Sequence, residues 1–88
     1  MSGPSADVRK QIRGYIEDNF LYMHPDVELG DGDQLLTLGI VDSFGFVELV
    51  EEIQARFGVT IQDVEITEEN LGSIDAITVF VERKQGSG

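Results

Sequence analysis

Apolar residues recur at helical spacing in three stretches of this 88-residue chain. The first runs from about Ala6 to Tyr22, with Val8, Ile12, Tyr15, Ile16, Phe20 and Leu21 on one stripe. Ser5 or Asp7 is placed to cap its start, and Pro25 bars its continuation. Arg9, Lys10 and Arg13 fall mostly off the stripe and read as a solvated face. The second stretch starts at Asp42 or Ser43, both good caps, and runs to about Phe57, where Gly58 stops it. Phe44, Val47, Val50, Ile53 and Phe57 predict its inward face, with Phe46 nearer solvent. Glu48, Glu51 and Glu52 share another face, since spacings of three and four bring side chains together. The third runs from a Ser73 cap to about Lys84, with Ile74, Ile77, Phe80 and Val81 inward. Asp75 in its first turn and Arg83 and Lys84 in its last suit the helix dipole.

Shorter signals fill the gaps. Thr67 caps a single helical turn that Gly72 ends, and Val59-Thr60-Ile61 is β-prone but isolated, so no strand pair is predicted. Between His24 and Asp42 lies a long connection broken by Pro25, Gly30, Gly32 and Gly39. It also holds Leu29, Leu35, Leu36, Leu38, Ile40 and Val41, too apolar for a free linker, so it is expected to lie packed across other elements. The sum is an all-α fold: a small four-helix bundle of three main helices and one short one, with the long loop between the first two. One domain over residues 6–84 is expected, with flexible tails at 1–5 and 85–88.

Charge narrows the class of partner. Seventeen acidic against six basic residues give a net charge of −11, and the stretch from Gly14 to Ala55 holds ten acids and no Lys or Arg. Phosphate binding needs clustered cations, so nucleic acid is excluded as a partner, and anionic lipid surfaces would repel the chain. A partner with a basic patch would instead meet it faster. No run of residues is long and apolar enough to span a membrane, so membrane insertion is not expected. The opening residues lack the regions of a secretion signal, and a cytoplasmic, monomeric protein is the expectation. Without cysteine there is no disulfide framework, thiolate metal site or Cys nucleophile. Asp31-Gly32-Asp33 fails the calcium-loop pattern because Leu35 and Leu36 stand where ligands belong, so no metal site is predicted.

One serine stands out. Ser43 sits where the long loop meets the second helix, so its hydroxyl is expected to be exposed and its backbone held by the first turn. The unpaired N–H groups of that turn favour an anionic group attached there. By itself this serine reads first as a helix cap, since capping serines are far commoner than modified ones. A hydrolase would need Ser43, an Asp and His24 in a triad; no nucleophile elbow is present, and His24 beside Pro25 reads as an exposed loop residue, so no catalytic residue is assigned.

Gly39-Ile40-Val41-Asp42-Ser43-Phe44, followed by Glu48-Leu49, resembles the acyl and peptidyl carrier protein family. The ending Ile66-Thr67-Glu68-Glu69-Asn70-Leu71-Gly72-Ser73-Ile74-Asp75-Ala76-Ile77 fits it as well, and the resemblance covers about Val8 to Arg83. It implies that Ser43 carries 4′-phosphopantetheine, transferred from coenzyme A by a phosphopantetheinyl transferase. The arm's thiol would hold an acyl or aminoacyl group as a thioester, and the chain would be a non-catalytic carrier. Acyl-loading, acyl-transfer or condensing enzymes with basic patches would dock on Asp42, Phe44, Val47, Glu48, Glu51 and Glu52, in fatty-acid, polyketide or related biosynthesis. Phe44 stands where Leu is usual, Glu51 where many fatty-acid carriers are apolar, and Gln54, Ala55 and Arg56 where they continue their acids. With the short ends, these departures point to a specialised stand-alone carrier. The alternative is an acidic helical adaptor that binds a basic partner and has no prosthetic group.

Overall fold

In a computed structural model the chain is described over residues 4–86, with side chains from residue 7 onward. Among the described residues there are four α-helices: α1 Pro4–Asn19, α2 Ser43–Phe57, α3 Glu68–Leu71 and α4 Ile74–Gly86. Among the described residues there is no strand. The all-α bundle with one short helix is as expected. Its ends extend further than expected: Pro4 and Ser5 are in α1, and Gln85 and Gly86 are in α4. The expected tails at 1–3 and 87–88 lie outside the described residues.

α1 buries Val8, Ile12, Ile16 and Phe20, with Tyr15 and Leu21 half-buried against them, as its periodicity implies. It begins at Pro4, a first-turn position where a missing N–H costs nothing. Ser5 and Asp7 therefore lie inside the helix and are not its caps. The helix stops three residues early. After Asn19 the chain tightens into a 3-10 turn at Leu21–Met23, which leaves Tyr22 and Met23 exposed.

α1 packs along α4. From α4 come Ile74, Ile77, Phe80 and Val81, all buried. Ser73 caps α4 as predicted, its Oγ accepting from the Ala76 N–H at 3.1 Å. Thr78 is buried too, and its hydroxyl donates to the Ile74 carbonyl at 2.7 Å, which satisfies it inside the helix. α3 is capped by Thr67 and ended by Gly72.

The long loop is part of the core. Leu29, Leu35, Ile40 and Val41 are buried, and the Leu35 N–H donates to the Gly72 carbonyl at 2.8 Å. The arginines of α1 hold it from outside. Arg9 and Arg13 both pair with Asp31, Arg9 also with Asp75 at the start of α4, and Arg13 donates to the Leu29 carbonyl at 2.9 Å. The Asp75 N–H closes the link, donating to the Asp31 carbonyl at 2.8 Å. A solvated basic face was the sequence reading for Arg9, Lys10 and Arg13. Two of the three are cross-links, because acids distant in sequence fold against them.

Candidate functional site

The entry into α2 is built from alternating anchors and exposed groups. Gly39 turns the chain with a left-handed φ of 76°, and the Ile40 N–H then returns to the Leu35 carbonyl at 3.1 Å. Ile40 and Val41 are buried next, at 3% and 1% exposure. Asp42 follows in extended conformation, and its Oδ1 accepts from the Gly45 N–H at 2.7 Å while its carbonyl accepts from the Phe46 N–H at 2.8 Å. That cap stabilises the helix start by about 1 kcal/mol. Buried Gly45 and Phe46 anchor the other side. Residues 42–44 are therefore the exposed span, and Ser43 is the first residue of the helix, open to solvent.

The inward face of α2 is rotated from the predicted one. Phe46, Leu49, Val50 and Ile53 are buried, while Phe44 is 74% and Val47 54% exposed. The helix carries two apolar stripes, and the one with Phe46 and Leu49 is the buried one. At Gly45 the approach is close: a methyl group there would sit 3.0 Å from a Phe20 ring carbon, 3.2 Å from Asp42 Oδ1 and 3.3 Å from Val41, so these side chains would have to give way to admit it.

The acids of α2 divide into two sets. Glu48 and Glu51 are exposed. Glu52 is half-buried and paired with Arg56 at 2.8 Å, so its charge is already compensated. Arg56 also lies over the Tyr15 ring, 5.7 Å from its centre. Burial raises the Tyr15 phenol above its ordinary pKa, and the Glu52 and Glu48 carboxylates push the same way.

Beside Ser43 an open groove of about 300 Å³ runs between the 3-10 turn and the start of α2. Asn19, Met23, His24, Asp42, Phe44 and Glu48 are among the residues that form it. His24 is thus half-buried in the groove that borders Ser43, where the sequence suggested an exposed loop residue unrelated to it. Among the described residues no hydrogen bond joins His24 to Ser43. The sequence missed Asn19, Met23 and His24 because no local pattern announces that the end of α1 meets the start of α2; the small Gly45 inside an apolar helix is the one hint. Asp31 and Asp33 are engaged elsewhere, Asp31 with the arginines and Asp33 with the Gly30 N–H at 2.8 Å. Among the described residues no group of three or more acids or histidines is placed to hold a metal ion. No helix among them is long and apolar enough to cross a membrane.

Ser43 thus stands exposed on the first residue of a capped helix, on an acidic helical bundle. Residues 10–79 match the phosphopantetheine attachment site family, and the chain belongs to that family. It is 35% identical over 71 residues to the D-alanyl carrier protein of Streptococcus suis strain 05ZYH33, covering 81% of this chain and 86% of that one. The D-alanyl carrier protein of strain 98HAH33 matches to the same extent. The chain is therefore a carrier protein, its prosthetic group is phosphopantetheine, and it works with a phosphopantetheinyl transferase and with enzymes that handle the acyl group. The residues present suit that group. Ser43 is accessible, the start of α2 suits an anionic group held there, and the groove begins at its two neighbours, Asp42 and Phe44.

Proposed function

We propose that Ser43 is the residue that bears the 4′-phosphopantetheine arm, and that the cargo is an aminoacyl group, D-alanyl foremost. The observation that carries the first part is the exposure of Ser43 between buried anchors at the head of α2. In the transfer, Ser43 Oγ forms the new phosphoester, the pyrophosphate bond of coenzyme A breaks, adenosine 3′,5′-bisphosphate leaves, and the hydroxyl proton passes to the transferase. The bound arm supplies a thiol, which this cysteine-free chain lacks, and so an activated thioester.

The cargo assignment is supported by the D-alanyl carrier relatives and by the groove beside Ser43. Asp42 and Glu48 contribute carboxylates there and no Lys or Arg lines it, which suits a positively charged amine better than a carboxylate or a long alkyl chain. Fatty-acid and polyketide cargo is the second reading. In this proposal the chain is a non-catalytic, cytoplasmic carrier, working where coenzyme A is made available. Partners dock through exposed Phe44 and Val47 with Glu48 and Glu51 around them. Such charges act mainly on encounter rate and orientation, which lets a carrier leave each partner quickly.

The test is intact mass after incubation with coenzyme A and a broad-specificity phosphopantetheinyl transferase. A gain of one phosphopantetheinyl group, absent in Ser43→Ala, supports the assignment. A folded protein that gains nothing is the prosthetic-group-free adaptor instead. Loading of the modified chain by a D-alanine-activating ligase, in preference to malonyl transfer, supports the aminoacyl cargo, and the reverse preference overturns it.

A further inference from the structure

We propose that the groove beside Ser43 is the seat of the loaded arm between partners, and that Glu48 reads the charge of the cargo there. The inference rests on Ser43 bearing the arm. Its first support is continuity: Asp42 and Phe44, the neighbours of Ser43 on each side, both form the groove wall, so the groove begins within one residue of the attachment point. The second is size. About 300 Å³ lies at the small end of ligand sites, which run from roughly 300 to 1,000 Å³. The third is the arrangement of surfaces. Phe44, Met23 and Ile40 offer apolar contact for the arm's dimethyl segment, and Asn19, His24 and Glu48 offer polar contact for its amides and free end. The fourth is availability. Among the described residues neither the His24 ring nor the Glu48 carboxylate has a hydrogen-bond partner, whereas Glu52 one turn on is taken by Arg56. A flexible arm folded back into the groove would place an aminoacyl ammonium by Glu48 and keep a carboxylate-ended cargo out.

A charge contact at a half-exposed site changes a population by about 1.4- to 5-fold. That is large enough to measure and small enough for a partner to release the arm. The experiment loads the full chain with D-alanine, with isobutyrate (the same shape with a methyl in place of the ammonium) and with malonate, and follows the Asn19 side-chain amide and His24 ring by NMR. The D-alanyl form should shift both relative to the unloaded arm, the isobutyryl form less, and the malonyl form least. Glu48→Gln should bring the D-alanyl shifts down to the isobutyryl level, while Glu51→Gln, on the same helix but outside the groove, leaves them unchanged. Equal shifts for D-alanyl and isobutyryl forms, or shifts confined to residues 42–44, overturn the proposal. The mass of each sample separates the two ideas: a correct mass with a silent groove removes only this inference, and no mass gain removes the Ser43 assignment and this inference with it.

Discussion

Replacing Asp31 with Asn tests how the long loop is held. In the native chain its carboxylate accepts from Arg9 at 3.2 Å and from Arg13, while its carbonyl accepts the Asp75 N–H. Both arginines are about one-third exposed and so is Asp31, so each pair contributes only about 0.2–1 kcal/mol. The substitution leaves neither arginine stranded. Arg9 keeps Asp75, and Arg13 keeps Glu17 at 3.5 Å and the Leu29 carbonyl. The expected loss is therefore about 1 kcal/mol, a fall in Tm of about 4–8 °C for a domain this small. The pH dependence has a definite sign. Arg13, then Arg9, hold the folded Asp31 below its ordinary pKa. Its contribution is complete above the unfolded value of about 3.9 and is lost as pH falls through the lower folded value. Calorimetry of both proteins at pH 7 and about pH 3 should show the gap narrowing in acid, and added salt should narrow it at pH 7. A Tm difference below about 1 °C at pH 7, or one equal at both pH values, would refute the view that this cluster fastens the loop to α1 and α4.

Other outcomes follow from the head of α2. Gly45→Ala pushes a methyl group against Phe20 and Asp42 and should cost about 1–3 kcal/mol in urea unfolding, with slower modification of Ser43. Phe44→Ala should leave stability within about 0.5 kcal/mol, because that ring is 74% exposed, yet slow transfer from the loading enzyme several-fold. Reversing Glu48 and Glu51 to Lys should slow transferase modification at low salt with helicity unchanged by circular dichroism; a rate independent of salt and charge would make this face a solvated surface only.

α1 was legible from its apolar stripe but not at its ends, whereas α2, α3 and α4 carry their own boundary signals. Thr67 and Ser73 accept the hydrogen bonds their positions imply, and Gly58 ends α2. The apolar residues in 24–42 implied a packed loop, and Leu29, Leu35, Ile40 and Val41 are buried while Leu38 stays exposed. What failed was information held in other segments. Phe44-Val47 and Phe46-Leu49 are both plausible inward pairs on an isolated helix, and the second is the one that joins the core built from the other segments, with Gly45 close to Phe20 on that side. Arg9 and Arg13 looked solvated because Asp31 and Asp75, their partners, are 18 to 66 positions away. His24 was set apart from Ser43 for the same reason: loop closure is not written in local periodicity.

The contact of Gly45 with Phe20 has a mechanical result. It sets the first turn of α2 close against Phe20, with Ile40 and Val41 buried just upstream, so any tether on Ser43 would leave from a packed, capped turn. An enzyme that grips the protein there would meet the root of the tether at a position set by the fold.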